Sequence, residues 1–324
     1  MSPVEVPRAS VVICAYTEDR WEWLLDAIAS VRTQSVPAEE LIIVVDHNQP
    51  LQKRLLHHIT GAYVLESNGA PGLSGARNTG VLAATGEIVA FLDDDAVARP
   101  DWLQRQLELY DDPAVFAVGG KIEPLWDSGR PGHFPEELNW IVGCSYRGLP
   151  RVAAQVRNVI GASMSFRRVI FDEAGLFNES MGRTSAPKGC EETELCIRAA
   201  EQRPGGRVVY EPASLVSHHV PAYRGTMRYM LARSWGEGTS KAQISALAKS
   251  RQPLGPERRY ASQVLPRAVV RGLVSGEAAG LARSGSIIAV LAATSTGYLV
   301  ERARHPRGEW RRLLHGANDI EVGT

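Results

Sequence analysis

Short apolar runs alternate with amphipathic segments through the first 120 residues of the chain. The apolar runs have the pattern of buried strands, and they cover 9–15, 41–45, 62–65, 87–92 and 115–118. The segments between them carry apolar residues at helical spacing, and they cover 21–32, 51–59, 74–84 and 100–110. Strands that alternate with helices predict a mostly parallel sheet with helices on both of its faces, so the predicted fold class is α/β.

The rest of the chain divides into an irregular part and a helical part. Residues 121–157 carry four prolines and are predicted to be irregular. Three elements follow, predicted as a strand, a helix and a strand: 159–166, 191–201 and 208–210. From Thr226 onward the pattern is mostly helical, with a loop near 253–256. We therefore expect a sheet domain over residues 1–225 and a helical C-terminal region over 226–324.

Composition and charge argue against several classes of protein. The chain has 36 lysines and arginines against 36 aspartates and glutamates, so nothing indicates nucleic acid as its main partner. None of the four cysteines forms a CxxC pair, which argues against a zinc site of the usual spacing and fits a reducing cytoplasm. The N-terminus lacks the charged and then apolar pattern of a secretion signal.

Two C-terminal segments have more than one interpretation. Residues 287–300 are the most apolar late stretch, but they are shorter than the roughly 20 residues of a membrane span and are interrupted by 294–297. We therefore predict a buried or interfacial helix there. Residues 302–312 contain five arginines, which form either a solvated helix face or a patch for phosphates or lipid headgroups.

Three adjacent aspartates, Asp93, Asp94 and Asp95, follow directly after one predicted strand. Like charges about 4 Å apart repel by roughly 1 kcal/mol in water and by more in a partly dry cleft, so such a cluster needs raised pKa values or a bound cation. Carboxylate oxygens suit Mg²⁺ or Mn²⁺. A solvated loop is the simpler interpretation. Asp46 ends another predicted strand, and parallel strand ends share one ligand-binding crevice, so we expect it nearby.

Three further segments are ambiguous when each is taken alone. The glycine-rich stretch at 69–80 suits a backbone that approaches an anion, but its spacing matches neither the dinucleotide nor the phosphate-loop motif. Glu191 and Glu192 begin a predicted helix, where carboxylates oppose the helix dipole or serve as a general base. His218 and His219 follow a predicted strand and are either structural residues or metal ligands.

The order of these features resembles the family 2 glycosyltransferases, which have the GT-A fold and invert the anomeric centre. The matching segments are VVICAY at 11–16, VVD at 44–46, GARNTG at 75–80, FLDDD at 91–95, GASMSFR at 161–167, EETEL at 191–195 and HH at 218–219. The resemblance covers about residues 10–242. It implies that 1–225 bind the nucleotide-sugar and carry out catalysis, with an acceptor half at about 121–225.

The resemblance implies a nucleotide pocket at the ends of the first two strands. Three residues at and after the first strand end would line it: Ala15, Tyr16 and Glu18. Asp46 would hydrogen-bond a uracil-type base. His47 stands where the family often has a second acid, which leaves the identity of the base open although a UDP-sugar is expected. Arg77 and Asp94 would face the diphosphate or the sugar.

The resemblance also implies a metal centre. Asp93 and Asp95 match the two ends of the family's DxD motif. Asp95 is the expected first ligand, and Asp93 would contact the ribose or reach the metal through water. His218 matches the family's late histidine, a metal ligand in some members, and His219 is the alternative. The expected cofactor is Mn²⁺ or Mg²⁺.

The family's general base is the acid of a Glu-Asp pair, which here reads Glu191-Glu192. We expect Glu192 to be the base, although it is one methylene longer than aspartate, and Glu191 is the alternative. Met164 matches the segment beside the acceptor or packs in the core. Two glycines within the helical pattern at 233–241 indicate either a helix crossing or a ligand contact, in which Arg233 or Lys241 would cover the diphosphate.

The resulting hypothesis is a metal-assisted, inverting transfer of a sugar from a nucleoside-diphosphate-sugar to a hydroxyl of a glycan, glycolipid or small molecule. A sugar-binding protein without turnover is one alternative, against which the retained acid pair argues. A sugar nucleotidyltransferase is another, but residues 17–20 replace the glycine-rich basic loop that such enzymes carry. We expect a cytoplasmic protein without a nucleic-acid partner. The C-terminal helices would contact the inner face of the membrane or a second subunit.

Overall fold

The computed structural model describes residues 7–181, 189–247 and 254–305. Its strands are β1 (Ala9–Ala15), β2 (Glu40–Val45), β3 (Tyr63–Glu66), β4 (Ile88–Asp93), β5 (Ala96–Ala98), β6 (Val115–Trp126), β7 (Ala154–Val156), β8 (Ser163–Arg167) and β9 (Arg207–Val220). Its α-helices are α1 (Trp21–Arg32), α2 (Gln49–His58), α3 (Leu73–Ala83), α4 (Trp102–Leu107), α5 (Val169–Ala174), α6 (Glu191–Gln202), α7 (Met227–Leu247), α8 (Gly255–Arg259), α9 (Leu265–Val274) and α10 (Ala278–Arg304).

The described strands form one sheet in the order β3-β2-β1-β4-β8-β6-β9-β5, and β7 pairs with β9. The first four strands in this order are parallel. Strand β8 then runs antiparallel to both β4 and β6, and β6 runs parallel to β9. The sheet is therefore parallel in its first half and mixed in its second half, which confirms the predicted α/β class.

Alternate residues of each central strand face opposite sides of the sheet, because successive side chains of a strand point to opposite faces. Val11 and Ile13 belong to one buried cluster, together with Leu24 and Ile28 of α1. Val12 belongs to a second buried cluster, which contains residues of α6 and five phenylalanines, Phe91, Phe116, Phe166, Phe171 and Phe177. Helices thus cover both faces, and both faces exclude water.

Several predicted elements have different bounds in the structure. The predicted strand at 208–210 is wrong in length, because β9 continues to Val220 along β6 after a register shift. For the same reason the irregular part begins later than predicted, after Trp126. The helix predicted at 100–110 is shorter, and a 3₁₀ turn follows it. The loop predicted near 253–256 is partly wrong, since α8 begins at Gly255, and residues 248–253 lie outside the described residues.

The last described helix is also longer than the apolar stretch at 287–300 suggested. Helix α10 has 27 residues and contains an 18-residue stretch with a mean hydropathy of 1.3, so by length and composition alone it could cross a membrane. The residues at 294–297 lie inside this helix, where Gly297 packs closely against α7. A Cβ atom added to Gly297 would lie only 2.5 Å from the Trp235 carbonyl oxygen of α7. A Cβ atom added to Gly238 of α7 would likewise clash with the Thr294 carbonyl oxygen of α10. Gly238 and Gly297 therefore mark a close crossing of α7 and α10.

This crossing gives a prediction about stability. Replacing Gly238 with alanine places a methyl group against the Thr294 backbone, and we expect it to lower the free energy of unfolding by about 1–3 kcal/mol. Gly285 is the matched control: it lies within α10, and an added Cβ meets nothing within 4 Å. Gly285→Ala should raise stability by about 0.5–1 kcal/mol, because alanine favours helix. Urea unfolding curves measure both values, and equal effects of the two variants would contradict the crossing.

Candidate active site

The acidic residues predicted to converge lie at one edge of the sheet. Strand β1 lies between β2 and β4, and in this register Cys14 pairs with Asp93 while Ala15 pairs with Val45, the residue before Asp46. The carboxyl ends of the three parallel strands therefore bring Asp46 and the aspartate triplet to the same crevice, as the strand pattern predicted.

Asp93, Asp95 and His218 form a possible metal-binding group. Their candidate ligand atoms lie within 4.8 Å of one another, and His218 Nε2 lies 3.1 Å from Asp95 Oδ1. His218 is brought there by β9, where it pairs with Ala96 of β5, directly after the triplet. His219 lies elsewhere: its ring stacks on Trp23 with centroids 5.0 Å apart. The structure therefore brings His218, and not His219, to the aspartates.

Two arginines neutralise the triplet. Arg20 NH1 lies 2.7 Å from Asp94 Oδ1 and 3.0 Å from Asp95 Oδ2, and Arg224 NH2 lies 3.8 Å from Asp95 Oδ2. Burial and the charge of Asp95 raise the pKa of Asp94 to about 7, although Arg20 opposes this rise. Burial would also raise the pKa of Asp95, but His218 and Arg20 outweigh it and hold that pKa well below its usual range.

The three candidate ligands fit a small divalent cation. Two carboxylates and one imidazole offer hard oxygen and nitrogen donors, which suit Mn²⁺ and, with oxygen ligands predominating, Mg²⁺. Asp94 Oδ2 beside them is buried and has no hydrogen-bond partner among the described residues. A cation would give this carboxylate oxygen a partner.

Arg77 joins the triplet to the glutamate pair. It is buried on α3, where NH1 donates to Glu191 Oε1 at 2.8 Å and NH2 lies 3.4 Å from Asp93 Oδ1. A Cβ at Gly161 would lie 2.7 Å from Arg77 NH2, so the glycine leaves room for the guanidinium. The buried guanidinium of Arg77 thus links Asp93, at the end of β4, to Glu191 at the start of α6.

The two glutamates at the start of α6 have different surroundings. Glu191 is buried in its ion pair with Arg77. Glu192 is half-buried and forms no ion pair within 7–181, 189–247 and 254–305. Burial and the charge of Glu191 raise the pKa of Glu192 to about 7, although Arg77 opposes the rise. Glu192 can therefore hold or release a proton near neutral pH.

The predicted nucleotide pocket has one polar atom that lacks a partner. Asp46 Oδ2 accepts a hydrogen bond from Gly72 N at 2.9 Å, while its buried Oδ1 has none among the described residues. His47 adopts φ 49°, and its Nε2 lies 3.0 Å from Gly69 O, so the ring is held on the glycine-rich turn. Tyr16 is exposed at the mouth of the crevice, where Arg20 lies over its ring.

The remaining predicted residues are placed as follows. Ala15 is buried at the end of β1, and Glu18 lies 3.9 Å from Arg54 at the surface. Lys241 Nζ lies 3.2 Å from Glu237 and 2.8 Å from Glu257, in an ion cluster that ties α7 to α8. The assignment of Lys241 to the diphosphate stays a prediction, and it would require the ammonium group to exchange partners.

The sequence pattern missed the residues that contact the site from distant parts of the chain. Arg20 and Arg224 contact the triplet, and Cys144 Sγ lies 3.6 Å from His218 Nδ1. Arg20 follows the first strand end by a few residues, which was a usable signal. Nothing in the local pattern marked Arg224 or Cys144, because long-range packing of the segments after β6 and β9 places them.

Comparisons with known proteins agree with this geometry. A family model described as Glycosyl transferase family 2 matches residues 10–175. A glucosyl-dolichyl phosphate glucuronosyltransferase from Haloferax volcanii is 36% identical over 245 residues, which cover 74% of this chain and 78% of that protein.

Two solved structures share the fold. A mannosyltransferase from Pyrobaculum calidifontis, in complex with GDP-Man and Mn²⁺, has a TM-score of 0.56 and 19% identity, covering 99% of this chain and 82% of that chain. GalNAc-T7, with UDP, GalNAc and Mn²⁺, has a TM-score of 0.54 and 16% identity. That match covers 80% of this chain and 54% of that chain, so the present chain spans about half its length. These similarities show the GT-A fold.

Proposed function

This chain belongs to glycosyl transferase family 2 and is a glycosyltransferase, and we propose that it moves a sugar from a UDP-sugar to an acceptor hydroxyl in one inverting displacement. The observation that carries this proposal is the position of Arg77, which contacts both Asp93 and Glu191. Because of this contact, the candidate metal group and the candidate base lie in one cleft, where donor and acceptor can meet.

The donor side is assigned to the triplet and the strand ends. Asp93, Asp95 and His218 would hold the cation, with Mn²⁺ as the first choice, and Asp94, Arg77 and Lys241 would serve the diphosphate or the sugar. A bound cation of this kind supplies Lewis-acid neutralisation of the departing nucleoside diphosphate. The free Oδ1 of Asp46 would accept a hydrogen bond from the uracil, beside Tyr16.

The acceptor side is assigned to Glu192, with Glu191 as the alternative base. The acceptor oxygen forms a bond to the anomeric carbon while the bond from that carbon to the diphosphate oxygen breaks, and Glu192 takes the hydroxyl proton. A carboxylate with a pKa of about 7 suits this role, because a base works best when its pKa lies near the working pH. Arg77 holds the Glu191 side chain in place, with NH1 2.8 Å from Glu191 Oε1.

We propose a lipid-linked glycan as the acceptor, with other glycans and small molecules as alternatives. The support is that the relative from Haloferax volcanii is named for a dolichyl phosphate-linked sugar. A cytoplasmic location at the inner face of the membrane follows from such an acceptor as part of the same proposal. A homo-oligomer formed through the C-terminal helices stays a prediction.

Calorimetry with a panel of donors tests the proposal. UDP-glucose, UDP-glucuronic acid, UDP-N-acetylglucosamine and GDP-mannose are titrated into the protein with Mn²⁺, with Mg²⁺ and with a chelator. We expect a UDP-sugar to bind at least tenfold more tightly with Mn²⁺ than with the chelator, and to be consumed when a polyprenyl-phosphate-linked sugar is added. Preference for GDP-mannose would contradict the assignment of uracil as the nucleotide base. Tight binding of a donor without product would favour a non-catalytic binding protein.

A further inference from the structure

A cavity lined by arginines lies between the α9–α10 hairpin and the segment at 130–147, away from the cleft described above. Its volume is about 300 Å³. Four arginines line it: Arg130, Arg147, Arg271 and Arg283. Glu136 and Glu137 are the acidic residues of the lining, so cations exceed anions by two. We call this the arginine cavity.

Among the described residues, the carboxylates of the arginine cavity accept from few of its guanidinium N–H groups, and the direct hydrogen bond is that from Arg147 NH2 to Glu136 Oε2 at 2.7 Å. Buried Glu137 lies 3.7 Å from Arg147 and 3.6 Å from Arg271, and holds both side chains toward the cavity. Arg130 donates instead to uncharged acceptors, chiefly Asn139 Oδ1 at 2.9 Å. Arg283 Nε donates to the Ala279 carbonyl at 3.1 Å, and its NH2 lies 3.7 Å from Glu277 Oε2 outside the lining. Each guanidinium has five N–H donors in a planar fork, which suits a phosphate group.

Exposed apolar surface borders the arginine cavity. The outer face of α9 consists of Pro266, Val270, Leu273 and Val274, and Val274 is 79% exposed. A second cavity of about 440 Å³ lies on this face, and Arg271 lines both cavities. The outer face of α10 adds four exposed residues: Leu281, Ile288, Leu291 and Leu299. A cationic cavity that adjoins apolar surface fits an amphiphile with an anionic head.

Charge supports the same kind of partner. Residues 254–305 contain seven arginines and three glutamates, whereas the whole chain is neutral. An apolar face flanked by arginines is typical of helices that lie at the surface of an anionic membrane. We propose that the arginine cavity binds the phosphate headgroup of an anionic lipid, and that the outer faces of α9 and α10 lie on the membrane.

The packing of α10 makes this contact peripheral. Its inner face buries Ile287 and Val290, and its backbone meets α7 at Gly238 and Gly297. A spanning helix would have to leave this crossing and expose both glycines and the α7 surface. Only the outer face of α10 is therefore available to lipid. The inference does not rest on the proposed transfer reaction, because it concerns a separate surface.

Sedimentation of the full chain with lipid vesicles tests the proposal. We expect binding to vesicles of phosphatidylglycerol and phosphatidylcholine in equal parts, weakening at high salt, and little binding to pure phosphatidylcholine. The double variant Arg130→Gln/Arg283→Gln should bind the mixed vesicles at least tenfold more weakly, and Leu273→Ser/Val274→Ser should do likewise. Arg105→Gln is the matched control, since this arginine on α4 is 46% exposed against 43% for Arg283. It should bind as the wild type does.

Three outcomes would overturn the proposal. One is unchanged binding of the double arginine variant, and another is binding that resists carbonate extraction, which indicates a spanning helix. The third is saturable binding of inorganic phosphate at these arginines with no binding to vesicles, which indicates a site for a free anion. Binding of the UDP-sugar with Mn²⁺ should be unchanged in every variant, and this readout separates failure of the lipid site from failure of the proposed enzyme function.

Discussion

Glu192→Gln should lower kcat by about 10²–10⁴-fold while UDP-sugar binding stays intact, because glutamine keeps the size of the side chain but cannot accept a proton. The wild-type rate should fall tenfold for each pH unit below about 7, the pKa of Glu192. Steady-state kinetics together with donor calorimetry measure these effects. Near-normal turnover with intact donor binding would show that Glu192 is not the base, and loss of turnover in Glu191→Gln alone would transfer the role to Glu191.

The same substitution should also raise stability by an amount that depends on pH. The pKa of Glu192 is higher in the folded protein than in the unfolded chain, so the folded state binds more protons between pH 4.5 and about 7. Stability therefore falls as pH rises through this window. Above it, Glu192→Gln should be more stable than the wild type by about 1–3 kcal/mol, and this gain should disappear toward pH 4.5.

Glu194→Gln is the matched control for both effects. It makes the same change on the same helix, but Glu194 is paired with Arg198 at 2.8 Å. Turnover should stay within a few-fold of the wild type, and the variant should gain no stability at pH 8. If both variants gained stability equally, the cause would be the general charge of the helix start and not the surroundings of Glu192.

Asp95→Asn should abolish the stabilisation that Mn²⁺ gives to the protein and lower turnover by at least about 100-fold, because a Lewis-acid contribution of several kcal/mol is lost with the ion. For the wild type, Mn²⁺ at 100 times its Kd should add about 2.7 kcal/mol to the free energy of unfolding. Without metal, the variant should be less stable than the wild type, since Arg20, Arg224 and His218 lose a buried counter-charge.

Thermal unfolding with and without Mn²⁺ separates these two effects. Asp101→Asn is the control, because Asp101 lies near the triplet in sequence but pairs only loosely with Arg99 and Arg105 at the surface. It should keep the full response to Mn²⁺. His218→Gln keeps the aspartates and should weaken the response to Mn²⁺, because one candidate ligand is lost. A full response to Mn²⁺ in Asp95→Asn would place the ion elsewhere.

Some strands and helices could be predicted from the sequence because a continuous pattern of apolar residues marks each of them. The bounds of β1 and α1 match the predicted 9–15 and 21–32, since each has a continuous apolar pattern with clear ends. Strand β9 could not be predicted in full, because its second half exists through pairing with β6 across a register shift. Strand β5 has three residues, too few for any period to appear.

The candidate site, like the fold, could be predicted where local patterns determine it and not where long-range contacts do. Convergence of Asp46 with the triplet could be predicted, because the ends of parallel strands share an edge. The different surroundings of Glu191 and Glu192 could not, because both lie in the first turn of α6 and the contact of Glu191 with Arg77 on α3 separates them. The distinction between His218 and His219 likewise depended on the orientation of β9 beside β5.

The sharing of Arg77 between Asp93 and Glu191 limits how this protein can evolve. If Arg77 serves the donor as proposed, a change that reshapes the donor side and moves this guanidinium also removes the counter-charge of Glu191 and shifts the proton affinity of Glu192. New donor specificity at this position would therefore have to arise together with compensating changes at the start of α6. Acceptor specificity set by residues that do not contact Arg77 carries no such requirement, so it can diverge faster.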